Sequence, residues 1–137
     1  MNTNNITTIN DLTEIEQIEM IAKDGADIIM IENPSIKIQL VAVNEHGYNI
    51  KYINVPTEQV QLAAIKKHVL AISHIITPTK KAKMFAVKKS YMAFKFIINP
   101  TYKMCVIALK QNRSEVLRHI KKKMLKKIGL EYPELII

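Results

Sequence analysis

The chain has no tryptophan, one cysteine (Cys105) and three glycines in 137 residues. A single cysteine excludes a disulfide framework within the chain and a zinc site built from several thiolates. Three glycines leave no glycine-rich loop to cradle a phosphate. With five prolines besides, turn-forming residues are too few for the many short strands of an all-β fold. No apolar run reaches the roughly 18 residues that would span a bilayer. The segment Met1–Asn10 is polar, and lacks the basic start and apolar stretch of a secretory signal. These absences point to a protein that is not secreted, works inside a cell and keeps its thiol reduced. What is present suffices for one packed domain, with 48% apolar and 23% charged residues.

The prolines carry the first positive signal. Pro34, Pro56, Pro78 and Pro100 stand 22 residues apart. Each is followed by a hydroxyl residue (Ser35, Thr57, Thr79, Thr101), and eight positions on by alanine (Ala42, Ala64, Ala86, Ala108). Apolar residues hold the same register. The sixth position reads Leu40, Leu62, Met84, Val106, and the ninth Val43, Ile65, Val87, Leu109. The sixteenth reads Ile50, Ile72, Phe94, Val116, and the nineteenth Ile53, Ile75, Ile97, until His119 breaks the series. A degenerate earlier copy supplies Thr13, Ile18, Ile21, Gly25, Ile28 and Ile31, with Gly25 matching Gly47. Five repeats follow, at 12–33, 34–55, 56–77, 78–99 and 100–121, after a disordered or polar lead over 1–11.

Each repeat reads as two short helices. The residue after the proline is a good N-cap, because its oxygen can accept from a free backbone N–H. Thr13-Glu14-Ile15-Glu16 matches a capping box. Apolar spacing of three and four then continues for about three turns. The first helix breaks near Asp24-Gly25, His46-Gly47, His68-Val69, Ser90-Tyr91 and Asn112-Arg113. A second short helix holds the sixteenth and nineteenth positions, and the next proline ends it. The aromatic, β-branched stretch Tyr91–Asn99 favours a strand locally, but the repeat register overrides that preference. Helices of about ten residues bury little alone, so the repeats must stack. The expected fold is all-α: stacked helical hairpins of period 22, like an α-solenoid, closed by a longer C-terminal capping helix whose end and tail occupy 122–137.

The segments Leu40-Val41-Ala42-Val43-Asn44-Glu45-His46-Gly47-Tyr48-Asn49-Ile50-Lys51-Tyr52-Ile53 and Leu62-Ala63-Ala64-Ile65-Lys66-Lys67-His68 resemble a short helical repeat domain of unknown function. That family is common in giant viruses of amoebae and occurs in some bacteria and protists. Its pattern is roughly Ala-Val, three residues, Gly, two residues, Leu, then an aromatic. The second repeat carries it best; in later repeats Val69, Tyr91 and Arg113 hold the glycine position. The resemblance covers about residues 12–120. It implies a helical repeat fold, a viral source with the virion or host cytoplasm as location, and no catalytic residue.

The net charge of +8 hides an asymmetry. Residues 1–33 hold seven acids (Asp11, Glu14, Glu16, Glu19, Asp24, Asp27, Glu32) against Lys23, whereas the remainder holds 19 basic residues against five acids. Two basic features have a defined place. Lys66, Lys67, Lys88, Lys89 and Lys110 end the first helices, and in stacked repeats would form a column with steps of about 8–10 Å. Such a row could follow a polyanion and release its counterions, although lysine in a last turn also complements the helix dipole. The second feature is the final helix. Val116, Ile120, Met124 and Ile128, with Leu117, form its apolar side, and Gly129 is its expected stop. Arg118, Lys121, Lys122, Lys123, Lys126 and Lys127 cover the rest. Nucleic acid and an acidic protein both fit such a helix, and an anionic membrane surface fits it less well. Only two arginines are present, which argues against base-specific reading.

No constellation for catalysis emerges, and no cofactor or metal is implied. His46, His68, His74 and His119 are scattered. His46 and His68 share a position, so they should be neighbours; polar residues at helix breaks is the simpler reading beside a two-histidine metal site. Gln39, Gln61 and Lys83 hold the position of Cys105, which marks a boundary site and not an activated thiol. The methionines read as core. Tyr48, Tyr52, Tyr91, Phe94 and Phe96 read as repeat packing ahead of base stacking. The sequence therefore describes a non-enzymatic interaction or structural module. Its acidic surface (Glu14, Glu16, Glu19, Asp24, Asp27) could meet the basic end of another copy. The alternative is a polyanion-binding protein that uses the lysine column and the terminal helix.

Overall fold

The computed structural model describes residues 8–137, so the first seven residues of the polar lead lie outside the described residues. Every element is helical, and no strand occurs among the described residues. The chain divides into two compact units, 1–75 and 76–137.

In the first unit, a turn of 3-10 helix at Ile9–Asp11 precedes α1 (Glu14–Lys23), α2 (Ile36–Glu45) and α3 (Glu58–Lys67). Each α-helix is followed by a six-residue 3-10 segment, at Gly25–Met30, Gly47–Tyr52 and Val69–His74. α2 packs between α1 and α3, and the 3-10 segments form a second layer against them. The second unit begins with α4 (Lys80–Lys89), a 3-10 segment at Tyr91–Phe96, and α5 (Tyr102–Gln111). It ends with α6 (Arg113–Leu117), α7 (Lys122–Glu131) and a 3-10 turn at Pro133–Leu135. The stretch with strand propensity is thus helical over Tyr91–Phe96 and forms no strand beyond it.

Local chemistry starts each long helix. Ser35, Thr57, Thr79 and Thr101 are extended residues whose hydroxyls accept from the backbone N–H three residues on. Thr13 does the same, and Glu16 reaches back to the Thr13 N–H at 2.8 Å, closing the capping box. That N–H, and then the Thr13 hydroxyl, hold the Glu16 carboxyl below its ordinary range. The stability this adds is present at neutral pH and is lost as the pH falls through the lowered value.

The second helices are 3-10 because only six residues separate the break from the extended approach to the next proline. Three residues per turn put every third side chain on one face. Gly47, Ile50 and Ile53 therefore all point inward, as do Gly25, Ile28 and Ile31. At Gly47 the backbones nearly touch: an added Cβ would lie 2.5 Å from the Ala64 carbonyl oxygen. The four repeat alanines are all 0% exposed.

The core differs in two respects from the sequence expectation. The fourth position after the proline (Ile38, Val60, Ala82, Met104) is buried, whereas Leu40, Leu62 and Met84 at the sixth are only half-buried. The expected long capping helix is also broken in two. Asn112 caps α6 by accepting from the Glu115 N–H at 3.1 Å. His119 and Ile120 then close tight turns onto Val116 and Leu117, and Lys121 is extended. This break turns Ile120 into the core in place of His119. The buried Val116, Ile120 and Ile128 thus lie on α6, in the break after it and on α7, and not on one helix. α7 begins at residue 122, where the long helix was expected to be ending, and its ten residues make it no longer than α1–α5. Gly129 does not stop it, since no glycine has a positive φ. α7 runs to Glu131 and ends ahead of Pro133, which cannot supply the N–H that would continue it.

Candidate polyanion interface

The division into units is also a division of charge. Residues 1–75 hold five lysines against nine acids, and residues 76–137 hold fifteen basic residues against three acids. The net charges are −4 and +12. Three carboxylates cannot neutralise fifteen cations, so the second unit carries a large excess of positive charge whatever its ion pairs.

All the candidate basic residues are exposed. Lys66 and Lys67 end α3 in the first unit; the others belong to the second. Gln111 donates to the Val87 carbonyl at 2.7 Å, which draws the last turns of α4 and α5 together. Lys88, Lys89 and Lys110 stand on those turns, and the Lys110 ammonium lies 5.1 Å from the centre of the Tyr132 ring. Arg118 pairs with Glu115 at 3.3 Å, a contact of little energetic weight at such exposure.

α7 departs from the other helices. α1–α5 start on a Ser or Thr cap and α6 on Asn112, but α7 starts on Lys121-Lys122-Lys123 with no side-chain cap. Cations at a helix N-terminus oppose the dipole, so the charge of this lysine block does not stabilise the helix. At about 100° per residue, Lys122, Lys123, Lys126 and Lys127 span an arc of about 140°, opposite the buried Ile128. Tyr102 holds this face in place. Its hydroxyl donates to Glu131 at 2.6 Å, and the Lys127 ammonium lies 5.1 Å from its ring centre. Removal from water, and then the bond to Glu131, push the Tyr102 phenol up to about 12. Sequence reasoning missed Tyr102, Glu131 and Tyr132, because their partners lie about 20–30 residues away and follow no repeat.

The acidic candidates are largely committed to local structure. Glu14 accepts from the Ser35 hydroxyl at 2.6 Å and pairs with Lys37 at 3.4 Å; the hydroxyl, foremost, holds its carboxyl below the usual range. Glu16 serves the capping box. Asp24 accepts from the Ala26 N–H at 2.9 Å and caps the segment after it. Glu19 is exposed and Asp27 half-buried.

His46 and His68 are neighbours as expected, with ring centres 4.4 Å apart. No group of three or more His, Cys, Asp or Glu is placed to hold a metal among the described residues. Cys105 is fully buried, and burial pushes its thiol up to about 11. Only about one thiol in ten thousand is then ionised at pH 7. Alkylation of the folded chain by iodoacetamide at pH 7 is therefore expected to run at least about a hundredfold slower than in urea. Equal rates would place Cys105 outside the core.

No protein-family model, curated protein or solved structure matches the chain.

Proposed function

We propose that the chain is a non-enzymatic helical-repeat module that works inside a cell or virion, and that residues 76–137 bind polyanions by charge. The uncapped lysine block at the start of α7 carries this reading. It sets three cations against the helix dipole, an arrangement that a bound anion relieves from both sources of positive potential. The repeat reading rests on the helix starts at Glu14, Ile36, Glu58, Lys80 and Tyr102, which keep the 22-residue step of the prolines. Binding would follow charge and not base sequence, since lysine lacks the planar fork with which arginine reads guanine.

The test is filter binding of single-stranded RNA and duplex DNA across salt. Retention of both is expected at about 50 mM salt, falling steeply by about 200 mM. No retention at the lower salt removes the proposal.

The opposite net charges of the two units favour a second reading, head-to-tail self-association. It is the weaker one, because Glu14, Glu16 and Asp24 are already engaged and pairing would still leave each copy at +8. Sedimentation at low and high salt decides it: a monomer at both removes the idea, and a mass that falls with salt supports it.

A further inference from the structure

We infer that His68 is a pH-operated latch between the 34–55 and 56–75 segments of the first unit. A helix start leaves backbone N–H groups without partners. Asp24 and Ser90 solve this for their own 3-10 segments, each accepting from the N–H two residues on. His46 makes no such bond for the Gly47–Tyr52 segment. The acceptor comes from the next stretch of chain: the Gly47 N–H donates to His68 Nδ1 at 3.1 Å. His68 thus caps a segment that lies 21 residues before it.

This bond exists only while Nδ1 has a lone pair, so the ring is neutral with its proton on Nε2. Protonation puts an N–H on Nδ1, facing the N–H of Gly47. It also places a cation at the start of a helical segment, where the dipole opposes it. Gly47 has little room to move aside, since an added Cβ would stand 2.5 Å from the Ala64 carbonyl oxygen and 3.0 Å from the His68 backbone nitrogen. The Tyr48 ring stacks on the His68 ring at 5.1 Å and 10°, and His74 meets Tyr48 edge-on at 5.5 Å.

The elements packed here are α2, α3 and the two 3-10 segments. Their titratable and charged groups are Lys37, Glu45 and His46 on the α2 side, Tyr48, Lys51 and Tyr52 on the next segment, Glu58, Lys66 and Lys67 on α3, and His74. Lys66, Lys67, Lys51 and a protonated His46 all oppose a further positive charge; Glu45 and Glu58 favour it. The latch is closed while the His68 ring is neutral and opens once acid protonates it.

The test uses the full chain. Asn at position 68 places its Oδ1 where His places Nδ1 and does not titrate. His68→Asn should keep the latch closed in acid, while His46→Asn, which retains His68, should still open. Gly47 is one of three glycines, so its amide signal is readily assigned. Its exchange rate, corrected for intrinsic catalysis, is expected to rise about tenfold between pH 8 and pH 5 in the parent, as fits the loss of one hydrogen bond. In His68→Asn it should stay constant. An unchanged Gly47 rate in the parent chain overturns the latch, and so does an equal rise in His68→Asn. If that variant does not fold, the parent measurement alone decides.

Discussion

Reversing Lys122, Lys123, Lys126 and Lys127 to Glu is expected, on the proposed polyanion binding, to lower affinity for RNA at least about a hundredfold at low salt. It also flattens the slope of log affinity against log salt by about 3 to 4, the share expected of four phosphate contacts. The four side chains are exposed on one arc of α7 and none belongs to the core, so the fold depends on them little. At Lys122 and Lys123 the change also works in favour of the helix, because carboxylates at a helix start complement the dipole by about 0.3–1 kcal/mol each. The double variant Lys122→Glu, Lys123→Glu should therefore melt no lower than the parent while binding less. Opposite signs for stability and binding separate an interface from a structural role. Filter binding and thermal melting, run on the same preparations, read both. Unaltered affinity in the fourfold variant would remove α7 from the interface.

Phe94→Ala destabilises the second unit by about 3–5 kcal/mol, the usual range for emptying a buried aromatic site. Phe94 is 2% exposed and is the largest of the fully buried side chains. It sits on the 3-10 segment that packs against α4, α5 and α6. At about 0.05–0.15 kcal/mol per residue, a unit of this size holds only about 3–9 kcal/mol, so the loss removes most of it. Phe94→Leu should recover most of the stability. Ile72→Val, at the matching position of the first unit, should cost only about 0.5–1.5 kcal/mol. Urea unfolding followed by circular dichroism gives all three values. A loss below about 1 kcal/mol for Phe94→Ala would place that ring outside the core.

Several features of the fold were legible in the chain. The hydroxyl residues after the prolines became caps, since a cap bond spans three residues and needs no distant partner. The positions three apart at Gly47, Ile50 and Ile53 proved to be the face of a 3-10 segment, although the spacing alone had suggested only a second short helix. Leu40 and Leu62 at the sixth position are as apolar as core residues, and only packing leaves one side of them exposed. The final helix was misjudged for a related reason. An apolar stripe of four-residue spacing does not distinguish one long helix from two short ones that converge on the same core.

The candidate interface was legible in part. Composition placed the basic excess in the right half of the chain, and the lysines of α7 were singled out. Their meaning came from the helix boundary: the same lysines inside a long helix would be an ordinary solvated face, whereas at an uncapped start they oppose the dipole.

The sequence by itself determined the caps, the all-helical character and the unequal charge of the two halves. These depend on interactions within a few residues or on simple counting. The tertiary structure alone decided that His68 caps Gly47 across 21 residues and that Tyr102 anchors Glu131 across 29. It also decided that the chain breaks at Arg118–Lys121 to bury Ile120. Such contacts form only once packed helices bring distant residues within hydrogen-bond reach, and no local spacing encodes them.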